Sequence, residues 1–128
     1  MRLIIDTCTF LWMASQPENL PSAVRAMLAD PDNTILLSVS SIWEMGIKRN
    51  QGRLDLTDDP KAYFAGAVIR YSLSVLPVTF DHALTAAGLP LHHRDPFDRM
   101  LIAQSMVEGV PIATPDGHFG KYPVQTVW

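Results

Sequence analysis

Short apolar runs alternate along this chain with segments whose apolar residues recur at helical spacing. Arg2-Leu3-Ile4-Ile5 reads as a fully buried strand, and Thr7 or Thr9 is placed to start a helix through Phe10-Leu11-Trp12-Met13. After the turn Gln16-Pro17-Glu18-Asn19, the stretch from Pro21 to Asp30 predicts a second helix. Thr34 to Ser38 is a second apolar strand. Ser40 or Ser41 then caps a helix through Ile42-Trp43-Glu44-Met45 toward Arg49, closed by Gly52. Asp58-Asp59-Pro60 opens a helix reaching Tyr71, followed by a strand from Ser74 to Val78 and a helix from Asp81 to Ala87 that Gly88 closes. Asp95-Pro96 is a cap followed by proline at the first helical position, and the helix it starts runs to Gly109. Strands from Val110 to Thr114 and from Val124 to Val127 complete the chain. Strands that are continuous apolar runs, alternating with helices, predict an α/β fold with a mainly parallel sheet covered on both faces.

Composition narrows this picture. At 128 residues and 48% hydrophobic content, with no linker-like or repetitive stretch, residues 1–128 read as one domain. A lone cysteine, Cys8, excludes an internal disulfide and fits a reducing compartment. Leu3-Ile4-Ile5 is too short for a signal-peptide core, and no apolar run approaches the roughly 18 residues of a membrane span. The expectation is a soluble, cytoplasmic protein. The net charge of −3 argues against a nucleic-acid partner until the acids are sorted. Setting aside Asp6, Glu44, Asp95, Asp98 and Asp116 leaves eight of the thirteen acids against ten basic residues. A mildly basic surface around a cation-filled acidic pocket can hold a phosphate backbone.

Those acids carry the candidate chemistry. Asp6 follows the first strand, where it either caps a helix or faces a ligand at the carboxyl edge of the sheet. Glu44 completes a capping box with Ser41 and stands four residues before Lys48, yet Ile42, Trp43, Met45 and Ile47 make its helix apolar on most sides. A carboxylate in the first turn of such a helix is half-buried and needs compensation. Asp95 reads as a cap. Asp98, at the third helical position, precedes Met100-Leu101-Ile102-Ala103 and points into a packed region. Asp116 lies in the turn Thr114-Pro115-Asp116-Gly117 after a buried strand, and so reaches the same edge as Asp6. Each acid has a structural explanation of its own, whereas one metal pocket explains all four of Asp6, Glu44, Asp98 and Asp116. Crowded carboxylates repel unless a cation lies between them, and hard oxygens suit Mg²⁺ or Mn²⁺. Phosphoryl-transfer chemistry is the usual use of such a pocket. Thr114 can orient a ligand through its hydroxyl. Lys48, Arg49, Arg94 and Arg99 are candidates for backbone phosphates or plain surface charges.

The same residues resemble a known family. Leu3-Ile4-Ile5-Asp6-Thr7, Ser41-Ile42-Trp43-Glu44, His92-His93-Arg94-Asp95-Pro96-Phe97-Asp98-Arg99 with Leu101-Ile102-Ala103-Gln104, and Thr114-Pro115-Asp116 occur in the order found in PIN-domain ribonucleases. The resemblance is to the VapC-like toxins of type II toxin–antitoxin pairs, and it extends nearly end to end. It implies a three-layer α/β/α sandwich, Mg²⁺ or Mn²⁺ held by Asp6, Glu44, Asp98 and Asp116 with Asp95 auxiliary, and endonucleolytic cleavage of RNA. It also implies a homodimer and a small cognate antitoxin that blocks the pocket, in a heterotetramer or larger assembly. Cys8 stands where close relatives often carry histidine, and Pro115 is a second departure.

Competing classes fare less well. A catalytically inactive module that binds RNA or an antitoxin is the alternative, and intact acids at all four positions weigh against it. A haloacid-dehalogenase-type phosphatase needs a second aspartate where Cys8 stands. No G-x-G-x-x-G follows the first strand, which removes a dinucleotide-binding fold. His82, His92, His93 and His118 have no zinc-site spacing with Cys8, and His92 and His93 read as ordinary loop residues.

Overall fold

The computed structural model describes residues 1–128. Five strands, β1 (Arg2–Ile5), β2 (Thr34–Ser38), β3 (Leu73–Leu76), β4 (Ile112–Ala113) and β5 (Thr126–Val127), form one sheet in the order β3-β2-β1-β4-β5. Every pairing is parallel, as the unbroken apolar runs require. Six helices cover the sheet: α1 (Thr7–Ser15), α2 (Ser22–Ala29), α3 (Val39–Asn50), α4 (Pro60–Arg70), α5 (Phe80–Gly88) and α6 (Pro96–Glu108).

Alternation along the central strands divides the core. Leu3 and Ile5 of β1 and Ile35 and Leu37 of β2 pack with Phe10 of α1, Val24 of α2, Met45 of α3 and Phe64 of α4. Ile4 and Leu36 face the other way, onto Leu101 and Ile102 of α6, with Phe119 and Tyr122. The expected three-layer α/β/α sandwich, PIN-like in its layering, is therefore present. No helix is long and apolar enough to cross a membrane.

Several boundaries differ from those the sequence predicts, and the differences share a cause. β1 and β2 run into α1 and α3 with no intervening loop, so the last strand-side residue becomes the cap. Asp6, not a threonine, caps α1 by accepting the Thr9 N–H, and Ser38, not Ser40 or Ser41, caps α3 by accepting the Ser40 N–H. The Ser41–Glu44 capping box is thereby absent, and Glu44 sits one turn deeper than predicted. β3 begins at Leu73 and stops at Leu76, since Pro77 has no N–H to donate to the ladder. The Asp95-Pro96 start of α6 is as predicted, and Gly109 ends that helix with a left-handed φ of 65°.

The strand order fixes where the acids meet. The chain moves outward from β1 through β2 to β3, then returns to place β4 on the other side of β1. Between β1 and β4 the order reverses, and a crevice opens at the carboxyl ends of those strands. Asp6 follows β1 and Thr114 follows β4.

Candidate active site

Asp6 is held by both neighbours of that crevice. Its Oδ1 accepts the Thr9 N–H at 2.7 Å and its Oδ2 accepts the Thr114 hydroxyl at 2.6 Å. The Thr9 hydroxyl donates to the Ala113 carbonyl at 2.9 Å, tying the start of α1 to the end of β4. Asp6 is thus cap and cleft residue at once, and the two readings its sequence position allows are compatible. Only 5% of Asp6 and 5% of Glu44 is exposed. Glu44 accepts the Thr7 hydroxyl at Oε1, 2.5 Å away, and the Lys48 ammonium at Oε2, 2.9 Å away. The predicted i,i+4 pair is real, while Trp43, expected to help bury this helix, is 65% exposed and packs edge-on against Phe97.

Asp98 occupies the third position of α6, beneath a cap in which Asp95 Oδ1 accepts the N–H groups of Phe97 at 2.8 Å and Asp98 at 3.4 Å. Asp116 caps a short 3-10 helix, Gly117–Lys121, and its Oδ1 accepts the backbone N–H of His118 at 2.9 Å. Asp6, Glu44, Asp95, Asp98 and Asp116 line one cleft of about 420 Å³ together with Thr7, Cys8, Trp12 and Lys48. Five acids therefore face one lysine, which Glu44 already engages.

That imbalance appears in the protonation of the groups. Burial, then the charges of Asp95, Glu44, Asp6 and Asp116, push the Asp98 carboxyl up to about 8. His93 Nε2 lies 3.0 Å from its Oδ2. Burial also raises Asp6, against the hydrogen bonds from Thr114 and Thr9. Asp116 goes the other way: burial pushes it up, but hydrogen bonds from His118 and His93 hold it below the ordinary carboxylate range. Burial and the charges of Asp6 and Asp98 raise the Cys8 thiol to about 11, so it stays protonated near neutrality. A cleft of hard carboxylate oxygens, one of them unable to ionise easily without a neighbouring positive charge, fits a divalent cation of the Mg²⁺ or Mn²⁺ class.

Sequence reasoning missed His93. Read as a loop residue, it lies within the cleft's acid cluster: its Nε2 is 2.9 Å from Asp116 Oδ2 and 3.0 Å from Asp98 Oδ2. The only signal was its place two residues before the Asp95 cap. The four predicted cations separate. Lys48 stands at the cleft, and Arg49 and Arg94 are exposed. Arg99 leaves the set of phosphate candidates, because its guanidinium donates to the carbonyls of Pro90, His93, Ala86 and Leu89 at 2.8–3.2 Å. It ties the end of α5 to the loop before α6. Arg99→Ala leaves these carbonyls short of donors and should cost roughly 2–4 kcal/mol. Thermal denaturation should show a fall of about 10 °C, with or without divalent cation; an unchanged midpoint would return Arg99 to the phosphate candidates.

The chain matches the PIN domain family over residues 3–125. No curated protein matches it at a significant level. Among solved structures, it is similar to VapBC2 from Rickettsia felis, bound to a DNA fragment from its promoter, at 12% identity and a TM-score of 0.74, covering 100% of this chain and 99% of that one. DNA-bound VapBC from Salmonella typhimurium matches at 17% identity and a TM-score of 0.71, over 99% of this chain and 97% of the other. VapC20 from Mycobacterium tuberculosis, a toxin that cleaves the sarcin–ricin loop, matches at 20% identity and a TM-score of 0.60, over 93% of each chain.

Proposed function

The chain belongs to the PIN domain family, and from that membership we propose that it is a Mg²⁺- or Mn²⁺-dependent endoribonuclease, the toxin of a toxin–antitoxin pair. The observation that carries the reading is the convergence of Asp6, Glu44, Asp98 and Asp116, with Asp95, on one cleft at the switch point of a parallel sheet. Asp6 and Asp98 would anchor the cation, with Glu44 and Asp116 completing the set. When bound, the cation supplies Lewis-acid stabilisation of the scissile phosphate and lowers the pKa of water. The chain's own residues do the rest. Thr114 and Thr9 fix the Asp6 carboxylate, Thr7 and Lys48 fix Glu44, and Asp95 fixes the first turn that carries Asp98. Preorganisation of this kind removes the cost of arranging charged groups during the reaction. Lys48, its side chain partly exposed at the cleft, and exposed Arg49 and Arg94 are placed to meet backbone phosphates.

The partner is a cognate antitoxin that occupies this cleft, and the location is the cytoplasm; structural neighbours solved as VapBC assemblies support the pairing. A homodimer, with a heterotetramer or larger complex including the antitoxin, belongs to the same proposal. Phe80 and Leu84, four residues apart on α5 and 78% and 60% exposed, offer apolar surface for such a contact. The test is incubation of antitoxin-free protein with total cellular RNA in Mg²⁺, Mn²⁺ or EDTA. Discrete fragments that vanish in EDTA are expected. Intact RNA in all three, with RNA or antitoxin still bound, would replace the nuclease by a binding module.

A further inference from the structure

His93 is held with a definiteness that the acids alone do not explain. Its Nδ1 lies 3.2 Å from the Asp95 backbone N–H, a group that can only donate. Nδ1 is therefore the acceptor, and the ring proton sits on Nε2. That proton is shared between Asp98 Oδ2 at 3.0 Å and Asp116 Oδ2 at 2.9 Å, both of which accept. The two independent contacts agree on one tautomer, which makes His93 a donor to the acids and leaves no lone pair at Nε2 to coordinate a cation.

The backbone and ring are pinned as well. The His93 N–H donates to the Tyr122 hydroxyl at 2.8 Å, and that hydroxyl donates to the Pro90 carbonyl at 2.6 Å. The His93 carbonyl accepts from Arg99 at 3.2 Å. Phe119 packs edge-on against the imidazole, with ring centres 5.8 Å apart. A side chain fixed from both sides does not swing away when the cleft fills. Each carboxylate keeps accepting lone pairs beyond the one His93 uses.

We propose that His93 is a positioning residue for the cation site: its Nε2–H bridges Asp98 and Asp116 and holds both carboxylates in place for a divalent cation. The inference rests on the metal-dependent reading above and extends it to a residue that does not itself touch the metal. Loss of an orienting hydrogen bond of this kind weakens metal affinity by about 10- to 100-fold.

Gln and Asn separate the two halves of the role. In His93→Gln the side-chain N–H reaches the Nε2 position and still donates to the acids. In His93→Asn the side-chain oxygen can accept the Asp95 N–H, preserving the loop, but nothing reaches Asp98 or Asp116. Titration calorimetry with Mn²⁺ is expected to show near-wild-type affinity for His93→Gln and about 10- to 100-fold weaker binding for His93→Asn and His93→Phe. Melting temperatures without metal show whether each variant folds, and if His93→Phe does not, the Gln and Asn pair decides. Equal Mn²⁺ affinity in wild type and His93→Asn would overturn the proposal, as would a His93→Gln variant as weak as His93→Asn. Absence of Mn²⁺ binding by the wild type would remove the metal-dependent reading along with it.

Discussion

Asp98→Asn is expected to abolish RNA cleavage while making the metal-free protein more stable. Both effects follow from one environment. The carboxylate is pushed up to about 8 by burial and by four acidic neighbours, so its charged form is a net liability to the fold when no cation is present. An amide of the same shape keeps the packing and removes the repulsion. The same exchange removes a hard oxygen anion from the cation site, where loss of several kcal/mol of charge stabilisation lowers the rate by about 10²- to 10³-fold or more. Cleavage assays and melting curves in EDTA measure the two sides. A variant that loses activity and also melts lower would point to a structural role for Asp98, and full activity would remove it from the site.

Protons and metal should compete for the same cleft. With a folded-state pKa of about 8 against an ordinary 3.8, Asp98 in the metal-free protein keeps a proton that the unfolded chain has already released. Its contribution to stability is fully present below about pH 4 and is lost as pH rises through 8. Cation binding must displace that proton, so apparent Mn²⁺ affinity should rise by up to about tenfold per pH unit between pH 6 and 8, then level off. The rise in melting temperature produced by Mn²⁺ should grow in parallel. Asp116, held below the ordinary range, adds nothing to this slope. In Asp98→Asn the part of the slope that this group causes should vanish, leaving only what the raised Asp6 carboxyl contributes. A pH-independent Mn²⁺ effect in the wild type would mean that the cation binds elsewhere.

Much of this site could be read from the chain alone because strand ends and helix starts are locally encoded. Leu3-Ile4-Ile5 and Ile35-Leu36-Leu37 are strands wherever a parallel sheet buries both faces, and Asp95-Pro96 announces a helix on backbone grounds alone. From those elements the carboxyl edge of a parallel sheet follows as the place for Asp6 and Asp116, while the strand order that puts β1 beside β4 comes from tertiary packing. The cap of α3 falls at Ser38 rather than Ser40 or Ser41, and of the candidates at the start of α1 it is Asp6 rather than Thr7 or Thr9 that caps, because the missing loop after each strand leaves only Asp6 and Ser38 for the task. Glu44 accordingly moved from a helix start to a buried position one turn in. His93 and Arg99 escaped for a different reason. Their partners, Asp116 and Tyr122 on one side and the carbonyls at the end of α5 on the other, come together only through tertiary packing, which no periodicity reports.

The central claim, that these carboxylates hold a cation which makes water the attacking group on an RNA phosphodiester, is most directly tested by the ends of the RNA it cuts. Fragments produced with Mn²⁺ should carry free hydroxyl and simple phosphate ends, and none should form in EDTA. Fragments with 2′,3′-cyclic phosphate ends that still appear in EDTA would show attack by the ribose hydroxyl without metal, and would contradict it.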